Sequence, residues 1–212
     1  MDKSPKALLE EINTLFKDRK YDDIIIRASS LPDIDDKEIS EEVKSLLALS
    51  YFRKDNFVQA LPLFEGLALS KNDDVLSWFN VMTSAILSSN IQKGKDAFNR
   101  VLELKKTSDG GPEEPSSSDT RYYYAYAMKN VGLFDEALEQ LDELKKIYMK
   151  LVITDDNFLF LRGVPFISRT LTLAKEVFDG LGLNFPQSEW LEELRRNVDD
   201  DGKETIDRYK NK

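Results

Sequence analysis

Apolar residues along the chain recur three and four apart, the spacing of one face of an α-helix, between runs of charged and polar positions. Within that pattern one grouping returns: a small residue, a large apolar one three before it and another four after it. Phe57, Ala60 and Phe64 form it clearly; Ile91, Gly94 and Phe98 repeat it 34 residues later, and Phe134, Ala137 and Leu141 a further 43. Tyr21, Ile24 and Ala28 are a weaker copy, set 36 residues before the first. A small side chain lets two helices approach closely, while its large neighbours on the same face fill the space beside it. One helical hairpin cannot bury its own apolar face, so the recurrence predicts hairpins stacked on one another.

The pattern predicts helices over residues 5–18, 22–30, 40–53, 56–70, a helix opened by Asp73 and Asp74, then 91–106, the stretch holding Tyr122 to Tyr126, and 134–150. Pro5 suits a first helical turn and Asn56 an N-cap. Pro62 falls early enough in its helix to bend it mildly. Hairpins are thus expected at residues 5–38, 41–74, 75–108 and 118–151, together a repeat region over 1–151. Two Gly, two Pro and a serine run mark a loop at 109–117 that accounts for the longer spacing. Beyond 151 the period is lost. Residues 152–198 read as a divergent helical cap, with a helix over 167–178 and another around Trp190, Leu191 and Leu194; residues 199–212 read as a frayed polar tail.

Trp78, Val81, Met82 and Ala85 stand at the spacing W-x2-L-G-x2-Y, as do Lys44, Leu47, Ala48 and Tyr51, and Arg121, Tyr124, Ala125 and Met128. With the A-x3-F half that follows, the chain resembles the tetratricopeptide repeat (TPR) family over residues 5–151. Departures are plain: only Trp78 keeps the tryptophan, Gly94 replaces alanine, no copy ends in proline, and Leu8, Glu11, Ile12 and Leu15 fit poorly. The resemblance implies an all-α solenoid of about four hairpins with a C-terminal cap. It also implies a concave groove lined by the first helix of each hairpin, which holds a peptide or helix of another protein. Copy by copy, it places there Leu9, Asn13, Phe16 and Lys17; Ser45, Leu49, Phe52 and Arg53; Leu76, Phe79, Thr83 and Ile86; and Tyr122, Tyr126 and Asn130. An apolar or aromatic segment is the implied partner. The basic residues of the family's carboxylate-clamping members are missing: the corresponding places hold Leu9, Asn13, Leu46 and Glu42 in one frame and Ser45, Leu49, Asn80, Asp119 and Tyr123 in the next.

Composition narrows this further. The chain has 212 residues, no Cys and no His, so disulfides, thiolate nucleophiles and Cys/His zinc sites are excluded. A net charge of −9 argues against nucleic acid and an anionic membrane surface. No apolar run is long enough to span a membrane, and the N-terminus has no signal-peptide core. A cytoplasmic protein is the expectation. The stretch with Pro32, Asp33, Asp35 and Asp36 does not fit a calcium loop, which needs a glycine and a distal glutamate at fixed spacing, since Lys37 and Glu38 sit where the third acid and that glycine would fall. Neither a phosphate-binding loop nor a nucleophile elbow is present, and Glu192 with Glu193 are neighbours on one charged helix. The expectation is a non-enzymatic interaction scaffold with no cofactor or metal. The rival is a structural or self-associating protein whose groove is filled by its own apolar segment 158–166, from Phe158 to Phe166.

Overall fold

A computed structural model describes residues 4–29, 34–107, 114–182 and 186–211. Expectations that rest on Pro32, Asp33, most of the 109–117 loop and the 183–185 turn lie outside the described residues. Twelve helices are described: α1 (Pro5–Lys17), α2 (Tyr21–Ser29), α3 (Lys37–Arg53), α4 (Phe57–Ser70), α5 (Val75–Leu87), α6 (Ile91–Leu104), α7 (Ser117–Asn130), α8 (Phe134–Tyr148), α9 (Asp156–Leu161), α10 (Ile167–Leu181), α11 (Gln187–Arg196) and α12 (Asp200–Lys210).

Local chemistry sets the helix ends. Ser4, Asp36, Asp74 and Ser116 each accept a bond from a backbone N–H in the first turn of the helix they precede. Asn56 lies at the expected position before α4 but makes no side-chain cap bond. The turns α1/α2, α3/α4, α5/α6 and α7/α8 close in one way. Arg19, Asp55, Ser89 and Gly132 each adopt a left-handed φ of 56–80° two residues before the second helix. The next N–H then reaches back to the first helix: Lys20 to the Leu15 carbonyl, Asn56 to Tyr51, Asn90 to Ala85 and Leu133 to Met128, at 2.8–2.9 Å. This is the Schellman arrangement, which satisfies carbonyls that a helix end would otherwise leave open.

The chain divides into two compact units, Met1–Ala97 and Phe98–Lys212. In the first, Leu8, Ile12, Ile24 and Val43 bring α1, α2 and α3 together. Ala60, Phe64 and Ala68 bury the inner face of α4, and Val81 to Ile86 form an unbroken buried run on α5. In the second, α7 packs on α8 and α8 on α10. Phe134 meets Gly180 at one end of the α8–α10 crossing and Tyr148 meets Thr170 at the other, so these helices run antiparallel.

Two expectations for the C-terminal region change. Residues from Asp199 onward do not fray: Asp199 caps α12 through the Gly202 N–H, accepts from the Thr154 N–H at 3.0 Å, and Ile206 is fully buried. The repeat pattern also does not stop at residue 151. Thr170, Leu173, Ala174 and Val177 on α10 reproduce the spacing of Arg121, Tyr124, Ala125 and Met128 on α7, 49 residues on, and Ala174 is as fully buried as Ala125. The length of the intervening α9 segment hides this copy from a search at 34 residues.

Candidate functional site

The fifteen residues expected to line a groove fall into three groups. Lys17, Arg53, Leu76, Tyr126 and Asn130 are exposed. Leu9, Asn13, Phe16, Leu49, Phe52 and Phe79 are half-buried, as is Ser45. Of these, Leu9 and Phe16 pack against the core of the first hairpins, and Phe52 sets its ring edge-on to Phe57 at 5.1 Å. Asn13 donates to the Glu42 carboxylate at 3.4 Å. Thr83, Ile86 and Tyr122 are buried, so the expectation that they face a ligand is corrected. Thr83 turns its hydroxyl onto the Phe79 carbonyl, and Ile86 occupies the space left by the missing side chain of Gly94. Helix α5 is apolar nearly all round, and such a helix is enclosed rather than lying on the surface by one face.

Tyr122 is covered for a different reason. The guanidinium of Arg169, on α10, lies 4.4 Å from the Tyr122 ring centre and 5.1 Å from that of Tyr123. Arg169 Nη2 donates to the Tyr123 hydroxyl at 3.0 Å, and the two tyrosine rings meet edge-on at 5.5 Å. Burial opposes the Arg169 charge, but the tyrosine hydroxyls outweigh it and raise the guanidinium's pKa. Burial raises that of Tyr122, with Arg169 pulling the other way. One turn beyond Tyr122, Tyr126 stands 44% exposed, with the Lys129 ammonium 5.1 Å from its ring and Lys129 paired to Glu176 at 2.6 Å.

Two clefts flank these helices. In the first unit a cleft of about 330 Å³ lies among α3, α4 and α5, lined by Glu38, Glu41, Glu42, Asp74 and Leu76, with Lys71 bonding Glu41 at 3.3 Å. Burial raises the Glu41 pKa, but Lys71, Ser70 and Lys37 together outweigh it and the net shift is downward. In the second unit a cleft of about 1100 Å³ opens between α10, α11 and α12, with Ser168, Thr172 and Lys175 on one wall and Arg208 and Tyr209 on another. Lys210 pairs with Glu192 at its rim and lowers the pKa of that carboxyl. Among the described residues no cluster of three metal-ligating side chains occurs, and no helix is long and apolar enough to cross a membrane.

Within its own unit the segment 158–166, expected in the rival reading to fill a groove, is partly packed. Leu159, Val164 and Pro165 are buried, and Tyr148 donates to the Pro165 carbonyl at 2.6 Å. Phe160 and Leu161 point outward, 73% and 81% exposed. Sequence reasoning missed Arg169 and the α10 cleft, and the signal that could have found them is the α7-like spacing on α10.

No family model matches the chain. It is 29% identical over 99 residues, 47% of its length, to the peroxisomal targeting signal receptor of Saccharomyces cerevisiae. It is 25% identical over 103 residues, 49% of its length, to the receptor of the same name from Candida glabrata. The match spans 15% and 16% of those two relatives. Among solved structures it is similar to nearly identical TPR-like repeats of a kinesin light chain-like protein from Podosopora anserina, and to a singly substituted form of them. The TM-scores are 0.57 and 0.60 at 15% identity, each covering 92% of this chain and 96% of the other. The fold is that of TPR-like helical repeats, an all-α solenoid.

Proposed function

We propose that the chain is a protein-interaction module that holds a peptide or helix of another protein against the first helices of its hairpins, without catalysing a reaction. The observation that carries this is Tyr126. It stays 44% exposed on α7 while Ala125 and Ala127 beside it are buried. A large aromatic held open between buried neighbours is the kind of anchor on which interface energy concentrates. Leu76, 38% exposed at the mouth of the acidic cleft, has the same character in the first unit. The two curated relatives are receptors for a targeting signal by name, which supports a mode in which a short segment of another protein is read.

The test is binding of the purified protein to a random peptide library, beside Leu76→Ala and Tyr126→Ala. Both variants should fold as wild type, and each should lose a subset of the peptides wild type selects. Identical selection by all three proteins overturns the reading.

Phe160 and Leu161 favour a second reading, self-association through the α9 face, because two large apolar side chains stand open side by side. Light scattering across a concentration series of wild type and the Phe160→Ser/Leu161→Ser variant separates the two. A dimer lost in the variant supports self-association; a monomer throughout overturns it.

A further inference from the structure

Helix α4 carries one charged residue, Glu65, in 14, yet it is not enclosed. Its outer face holds Val58, Pro62, Gly66 and Leu69, spaced as one side of a helix. All four are exposed, Val58 by 66% and Leu69 by 71%. The repeat shows what such a face otherwise carries. At the corresponding places α6 has Gln92, Asp96, Arg100 and Glu103, and α8 has Asp135, Glu139, Glu143 and Lys146. These are all polar, and several bond along their own helices: Gln92 to Asp96 at 2.9 Å, Arg100 to Glu103 at 3.2 Å and Lys146 to Glu143 at 2.6 Å. The face that is solvated on α6 and α8 is apolar on α4.

Glycine and proline each weaken a helix interior. Nothing inside the chain requires Gly66, because a Cβ built on it would meet no atom within 4 Å. Its bare backbone suits a close approach from outside. Pro62 and Gly66 also border a cleft of about 430 Å³ between α3 and α4, lined further by Leu63 and Leu67 and, from α3, by Lys37 and Lys44. Glu41 is the carboxylate lining that cleft, and Lys71 engages it at 3.3 Å and Lys37 at 3.8 Å. Lys44 is exposed and pairs with no carboxylate among the described residues. Glu38 and Glu42 line the acidic cleft instead.

We propose that the outer face of α4 docks an amphipathic helix of another protein, whose Leu/Ala seam lies over Pro62 and Gly66 and whose Glu or Asp flank meets Lys44 and Lys37. This surface belongs to the second helix of a hairpin and is separate from the first-helix face of the interaction-module reading. A small residue lets two helix axes come close, and Val58 and Leu69 flank the crossing with apolar surface. The charges favour an acidic helix over a second copy of this chain. Glu65 and Glu41, the carboxylates beside the face, are already held by Lys93 and Lys71, so a second copy brings Lys44 no counter-ion from there.

Two synthetic peptides of about 18 residues, long enough to hold a helix, share one Leu/Ala seam and differ in being flanked by Glu or by Lys. Each is titrated into the whole ¹⁵N-labelled chain at about 0.15 M salt, which screens the net charge of the chain. The Glu-flanked peptide should move the Gly66 and Leu69 amide resonances saturably, at about tenfold lower concentration than the Lys-flanked one. Gly66→Gln should melt no lower than wild type, since glutamine is the better helix former and its Cβ meets nothing, yet bind the Glu-flanked peptide about tenfold more weakly. Lys44→Glu should lose about fivefold for the same peptide.

Resonances of α4 that do not respond overturn the proposal, as does undiminished binding in Gly66→Gln. Equal binding of the two peptides overturns the acidic assignment. Resonances of α4 that move on diluting the chain alone place a second copy there and overturn the assignment to another protein. The comparison of the two peptides on wild type needs no variant to fold.

Discussion

The Ile86 side chain fills the place where a Cβ on Gly94 would stand, closer than real Cβ contacts come. Ile86 is fully buried on α5 and Gly94 lies in the first turn of α6, so this contact sets how closely the two helices approach. A glycine thus occupies the small position of the third hairpin because its partner helix presents a β-branched residue.

Gly94→Ala should therefore destabilise, although alanine favours a helix by about 1 kcal/mol over glycine. Overpacking a filled site costs about 1–3 kcal/mol, enough to reverse the sign. Ile86→Val in the same chain should recover part of the loss. Thermal melts of wild type, the single variant and the double variant check this; a raised melting temperature in Gly94→Ala contradicts it.

Gly132 closes the α7/α8 turn at φ 80° and has open space around it, so a methyl group there meets nothing. Gly132→Ala should cost about 1–2 kcal/mol from the backbone conformation alone. Urea unfolding should show a lower midpoint with an unchanged slope.

Tyr122 and Tyr126 are one turn apart and should behave oppositely. Tyr122→Ala removes a side chain only 6% exposed and should cost about 3–5 kcal/mol, as large-to-small core changes do. Tyr126→Ala should stay within about 0.5 kcal/mol of wild type. Equal losses in denaturant would show that the two rings share one environment.

Burial pushes the Tyr124 hydroxyl up to about 12, Glu136 and Glu139 adding to it. Burial also raises Tyr148, with the bond to Thr170 opposing. Both folded values lie above that of a tyrosine in the unfolded chain, near 10. The stability Tyr124 contributes is therefore complete below about pH 10 and is lost as pH rises through about 12, and that of Tyr148 is lost in the same alkaline direction. Tyr124→Phe has no proton to lose there, so its denaturation midpoint should fall less steeply over that range than wild type.

Much of the fold was legible because its determinants are local. The small residue flanked at three and four places requires only one helix face, and the turn at Arg19, Asp55, Ser89 and Gly132 closes within six residues of chain. Those features fixed the helix pairs up to α8. Asp199 and Gly202 read as tail residues because the bonds that order α12 reach back 45 residues to Thr154.

The sequence by itself determined a chain of paired helices, with a small residue at the crossings marked by Ala60, Gly94 and Ala137, since periodicity and helix-end chemistry act over a few residues. It could not decide which residues of a first helix stay open. That depends on what packs alongside, and only the tertiary structure sets α10 against α7 and α8, laying Arg169 over Tyr122 while Tyr126, one turn on, remains in solvent. Burial is a property of neighbours brought together by the fold, and the neighbour in this case comes from 47 residues further along the chain.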